Sequence, residues 1–151
     1  MTDASTHIHG DKLGQSHDFE LLTFGTKLGS QAVGVTITVS AEGATVANQR
    51  DITMQFTKAD GTDCDAVVFF KIHMFADAAG AAFVTTGGST GVAAGTDGAL
   101  LATVAKKSFL ATSESDGDFD CIYTDTGTES VFMAVELPNG RLVFADELTN
   151  A

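Results

Sequence analysis

The chain has 151 residues, 44% of them apolar, which is enough for one packed core and too short for two full domains. Twenty acidic residues against eight basic ones give a formal charge of −12. That balance excludes nucleic acid and anionic membrane as natural partners, because no basic patch offsets it and Lys106-Lys107 is the only basic pair.

The opening stretch, MTDASTHIHGDK, lacks the basic and apolar regions of a secretion signal, and no apolar run approaches the ~18 residues of a membrane span. The expectation is a soluble product made in the cytosol. Residues 1–30 hold three of the four histidines and one compact apolar cluster, FELLTF, with no sustained period. They read as an extended N-terminal arm that orders on a partner, or as an extra edge strand. Within it, Phe19, Leu21, Leu22 and Phe24 are the candidate protein-contact residues. His7 and His9 are the candidate metal ligands, since alternate side chains of an extended chain share a face. With His17 nearby, three arms meeting on a symmetry axis would present enough imidazoles for an octahedral ion. The plain alternative is solvated histidine. No cofactor is expected.

From Gln31 onward the pattern is β. VGVTITV alternates Val33, Val35, Ile37 and Val39 with small or polar residues; Ile52, Met54 and Phe56 repeat the period. AVVFFKIHMF sets Val68, Phe70, Ile72 and Met74 on one face and Val67, Phe69, Lys71, His73 and Phe75 on the other, as a central strand would. His73 reads as a core-edge residue satisfied by a neighbouring carbonyl. DAAGAA, residues 77–82, is the one stretch with helical composition, although Gly80 interrupts it. Further strands are expected around Leu100–Val104, Phe109–Thr112, Phe119–Tyr123, Val131–Leu137 and Leu142–Asp146. In LPNGRL, Asn139-Gly140 suits a type I′ hairpin turn, and YTDTGTESV suggests a second hairpin. Seven to eight short strands with turn signals between them predict an all-β, immunoglobulin-like antiparallel sandwich over residues 31–151.

Three local features compete for chemistry. Gly87-Gly88-Ser89-Thr90-Gly91 matches the serine-hydrolase elbow, which needs a strand before the serine and a helix after it. Glycines at 95 and 98 deny that helix, so residues 83–98 read as a glycine-rich connection. Cys64 and Cys121 have a separation compatible with an inter-sheet disulfide, but the partner Trp of that arrangement is absent and two buried thiols are the better reading. DGTDCD and ESDGDFD offer hard oxygen ligands for calcium, yet turn formation explains their Asp and Gly equally well. No pair of carboxylates and no thiol–imidazole pairing is spaced to propose catalysis, so the protein is expected not to be an enzyme.

The order of DAAG, a Gly/Thr loop leading to GTDG, SDGD, and a last turn at PNGR resembles a domain of structural proteins of tailed bacteriophages, over roughly residues 67–148. Such domains are immunoglobulin-like sandwiches in virion proteins, including capsid decoration (cement) proteins and tail-associated components. The resemblance implies that Ser89 lies in an inter-strand loop, and it brings no catalytic residues. It implies a decoration protein on the outer surface of the head, a homo-oligomer with a trimer favoured, bound to the major capsid protein or other virion proteins. A tail, baseplate or fibre-attachment component is the alternative. A carbohydrate-binding or adhesion module is less well supported, because the chain has no Trp and a single Tyr to stack on sugars.

Overall fold

The alternating segments form nine strands in the computed structural model, which describes residues 32–150. They are β1 (Gly34–Val39), β2 (Gln49–Thr57), β3 (Phe69–Phe75), β4 (Gly91–Ala94), β5 (Ala99–Val104), β6 (Ser108–Thr112), β7 (Asp118–Thr124), β8 (Phe132–Glu136) and β9 (Leu142–Phe144). All pair antiparallel, in a four-stranded sheet ordered β1-β2-β7-β4 and a five-stranded sheet ordered β5-β6-β3-β8-β9. The described residues contain no helix. The arm, with His7, His9, His17, Phe19, Leu21, Leu22 and Phe24, lies outside them.

The two sheets are held together by their inward rows. Ile52, Met54 and Phe56 of β2 and Phe119, Cys121 and Tyr123 of β7 meet Phe70, Ile72 and Met74 of β3 in one buried cluster. Phe70 is its hinge: its ring lies 4.5 Å from that of Phe56 and 5.1 Å, edge-on, from that of Phe119. Burying one such aromatic contributes about 1.5–3 kcal/mol, with more from the ring geometry. β3 is the central strand of its sheet, as its two-sided apolar pattern predicts.

The spatial order of the strands is that of a variable-type immunoglobulin sandwich, ABED facing a GFC sheet extended by C′ and C″. The chain visits those places in a different sequence. After β3 it crosses to fill the D place with β4, returns to make β5 and β6 at the C″ and C′ places, and crosses again to β7 at E. Cys64 lies between β2 and β3 and Cys121 on β7, so neither holds the B or F place that the immunoglobulin disulfide joins. Both thiols are free and buried.

Several local expectations change. The stretch 83–98 is more than a connection, because Gly91–Ala94 pairs with β7 as an edge strand. YTDTGTESV is a crossover between sheets and not a hairpin: β7 and β8 are neighbours in neither sheet. Period-2 flanks report two half-buried faces, which meet across a core as readily as side by side. DAAGAA makes a turn in which the Asp77 carboxylate accepts from the amides of Ala79, Ala81 and Ala82. The PNGR turn does join β8 to β9, with Glu136 opposite Leu142. It is not type I′, since only Gly140 (φ +83°) is left-handed while Asn139 is not. The Gly140 amide donates to the Leu137 carbonyl at 2.8 Å, so Pro138 and Asn139 occupy the turn and Gly140 the following bulge.

Candidate docking face

Every second residue of β3 points away from the core, and its neighbours on β5, β6, β8 and β9 complete the outer face of the larger sheet. Across that face Leu101 stands opposite Leu110, Leu110 opposite Lys71, Lys71 opposite Glu136, and Glu136 opposite Leu142. Phe69, 72% exposed, Leu101, 65%, and Leu110, 44%, border an open trough of about 470 Å³ that Pro138 also lines. Single exposed apolar residues are ordinary, whereas a contiguous group on one sheet face marks a contact surface.

A polar strip divides this face. The Glu136 carboxylate accepts from Lys71 Nζ at 3.0 Å and lies 2.9 Å from His73 Nε2, while His73 Nδ1 is 3.1 Å from Ser108 Oγ. The hydrogen bond from His73, then that from Lys71, hold the Glu136 carboxyl below the usual carboxylate range. His73 is therefore satisfied by two side chains and not by a carbonyl. The strip is charge-balanced, so this face carries little of the molecule's negative charge.

Beyond the strip lies an aromatic cluster. An isolated bridge between Phe75 and Phe83 folds the loop after β3 back over its end, stacking the two rings at 5.1 Å. Phe144 covers the same ring from 5.9 Å, which is why Phe75 is buried on an outward-facing position.

Ser89 sits elsewhere, on the loop before β4. Its hydroxyl accepts from the Thr126 amide at 3.0 Å, its own amide donates to Asp125 at 2.9 Å, and Lys106 Nζ caps its carbonyl at 2.6 Å. A strand follows within two residues, so the strand–serine–helix geometry of the elbow is replaced by a pinned loop. Glu129 completes the pinning by accepting from the amides of Thr85, Thr86 and Gly87 and from the Thr86 hydroxyl. Among the described residues no group of three or more His, Cys, Asp or Glu is placed to hold a metal ion. The acidic clusters act locally: Asp60 accepts from Thr62, Asp65 pairs with Lys58 at 3.2 Å, and Asp120 accepts from the Asp97 amide at 2.6 Å. Burial, then the charges of Asp116, Asp97 and Asp63, raise the carboxyl pKa of Asp118. Asp125 is a buried carboxylate, accepting from the Ser89 amide.

Sequence reasoning missed Ser108, Glu136 and the pairing of Lys71. The only signal was a Lys and a His on the outer alternation of an otherwise apolar strand. No family model matches the chain, and neither a curated protein nor a solved structure matches it.

Proposed function

We propose that the protein is a non-enzymatic structural protein of a bacteriophage virion, a capsid decoration protein that docks on the outside of the assembled head and stabilises it. The observation that carries this reading is the apolar, charge-balanced outer face of the five-stranded sheet on a molecule that is otherwise strongly acidic. The face is open and largely apolar, and the order of turn motifs resembles that of virion domains.

The mechanism is linkage. A ligand that binds the assembled shell and not its separated subunits stabilises assembly by RT ln(1 + [L]/Kd), about 2.7 kcal/mol per site at a hundredfold excess over Kd. Repetition over the shell lets each contact stay small, since multivalent attachment raises avidity. The partner is then the major capsid protein, and the acidic remainder of the surface faces solvent.

Purified protein mixed with expanded empty heads should co-sediment saturably, and Phe69→Asp should reduce the bound fraction at least tenfold while leaving the circular dichroism spectrum unchanged. Absence of saturable binding, or equal binding by Phe69→Asp, overturns the reading.

A further inference from the structure

We propose that two copies of this chain join through the edge of β5, strand against antiparallel strand, so that their five-stranded sheets run on into one ten-stranded sheet. The inference goes beyond the decoration reading and stands without it.

Among the described residues four strands end their sheets: β1, β4, β5 and β9. β4 has four residues and β9 three, too short to anchor another strand well. β1 keeps its apolar side chains half-buried and exposes only Thr36 and Thr38. β5 has six residues with no charge and no proline, and all but Leu100 are exposed. Natural sheets guard their edges with lysine, proline, bulges or a covering segment, because unpaired N–H and C=O groups template further pairing. β5 carries only a register irregularity between Ala102 and Val104, where the Thr103 hydroxyl donates to the Ser108 carbonyl at 3.0 Å, and Ala99–Ala102 stays regular. Leu101 and Val104 are bare along it.

The two ends of β5 select a second copy as the occupant. The turn before the strand carries Asp97, and the turn after it carries Lys106 and Lys107. Lys106 is committed to the carbonyls of Gly88 and Ser89, whereas Asp97 and Lys107 form no ion pair among the described residues. Antiparallel pairing lays the Asp97 turn of each copy beside the Lys107 turn of the other, and parallel pairing would set like charges together. Exposed pairs of this kind fix direction more than affinity. The strand between them is uncharged, which lets two molecules of charge −12 approach there.

Symmetry constrains the register. A two-fold axis that pairs antiparallel edges stands perpendicular to the sheet, so outer face continues outer face and one residue sits opposite its own copy. Leu101 is that residue, as the outward side chain nearest the middle of β5. Leu100 then lies opposite the partner's Ala102, and Ala99 opposite the partner's Thr103. β4, the strand of the smaller sheet that contacts β5, exposes only Ala93 and Ala94, so no bulky side chain on it holds a second molecule away from the spacing of about 4.8 Å between paired strands. An isologous contact closes at two copies and leaves both outer faces looking the same way.

Sedimentation equilibrium on the full chain, without heads and from micromolar to sub-millimolar concentration, tests this. The full chain should be a dimer, and Leu101→Lys should make it a monomer with unchanged circular dichroism. Val104→Lys replaces Leu101→Lys should the latter disturb the fold. Cross-linking reads the register, since the native thiols Cys64 and Cys121 are buried. With a short bis-thiol reagent, Leu101→Cys should link copies about tenfold faster than Ala99→Cys, because facing Cβ atoms lie about 5 Å apart and the two copies of position 99 about 14 Å. A monomeric full chain, an oligomer larger than a dimer, a dimer that survives the lysine substitution, or equal linking at the two positions overturns the proposal. Head binding is read separately by co-sedimentation, so the decoration reading can fail while the dimer stands, and the reverse.

Discussion

Replacing Glu129 by Gln probes the pinning of the loop before β4. One carboxylate oxygen accepts from the amides of Thr85, at 2.9 Å, and Thr86, at 3.4 Å. The other accepts from the Thr86 hydroxyl and, at 3.2 Å, from the Gly87 amide. Glutamine keeps one acceptor and turns the other into a donor facing donors. The Thr86 hydroxyl can rotate away, but the Gly87 amide cannot, because its backbone is held at φ +72° against Lys106. An amide left unsatisfied and the loss of charge assistance should together cost about 2 kcal/mol. In a domain of this size that lowers Tm by roughly 5–10 °C. The acid limb supplies a second readout. Burial raises the Glu129 pKa, but the hydrogen bonds from Thr86, Thr85 and Gly87 outweigh it and the carboxyl titrates below its ordinary 4.5. A folded pKa below the unfolded one gives stability that is present above the unfolded value and lost as pH falls through the folded one. Calorimetry from pH 7 to pH 3 should therefore show wild type and Glu129→Gln converging as pH falls below about 4.5. A Tm within 1 °C of wild type at pH 7, or curves that stay parallel into acid, would refute the account.

Other expectations follow from the same structure. Phe70→Ala removes the ring that bridges both sheets and should cost about 3–5 kcal/mol in urea unfolding. Gly98→Ala should cost more than about 2 kcal/mol, because its backbone sits at φ +86° and an added Cβ would meet the Thr112 carbonyl oxygen at 2.2 Å. Cys64 and Cys121 are buried and burial raises both thiol pKa values, so a thiol reagent at pH 8 should label them only as fast as the protein opens, and a reductant should leave Tm unchanged. Ser89→Ala should leave any trace ester hydrolysis by the preparation unaltered, since the Ser89 hydroxyl accepts from the Thr126 amide and the one histidine among the described residues, His73, is held by Glu136 and Ser108.

Strand existence was legible because period-2 alternation is a local property: Ile52, Met54 and Phe56 announce a half-buried strand whatever they pack against. Which strands become neighbours is not local. The flanks of YTDTGTESV carry the same signal as the arms of a hairpin, and only the buried Asp125 and the reach of Glu129 to the loop before β4 reveal a crossover. β4 escaped notice because four residues, GVAA, are too few to show a period and sit among glycines that each mark a turn. The outer face was half visible. Phe69, Lys71 and His73 were assigned to one side of a strand, but Glu136 and Ser108 reach His73 only through two separate registers that sequence spacing does not encode.

The permuted strand order makes a related point about the docking face. In this chain β5 and β6 form a hairpin inserted after β4, so the edge of the larger sheet is built from a segment flanked by turns, GTDG before it and Lys106-Lys107 after it. Lys106 is itself left-handed, at φ +62°, and spends its ammonium group on the carbonyls of Gly88 and Ser89, tying that hairpin to the loop that Glu129 pins. The cations that would ordinarily guard an exposed strand edge are therefore placed beyond it, one of them in internal bonding, while Leu101 and Val104 remain bare. Copies of so acidic a molecule repel one another, over a screening length of about 8 Å at physiological salt. Raising salt weakens that repulsion without weakening apolar burial, so association through this edge should strengthen with ionic strength, opposite to contacts built on ion pairs.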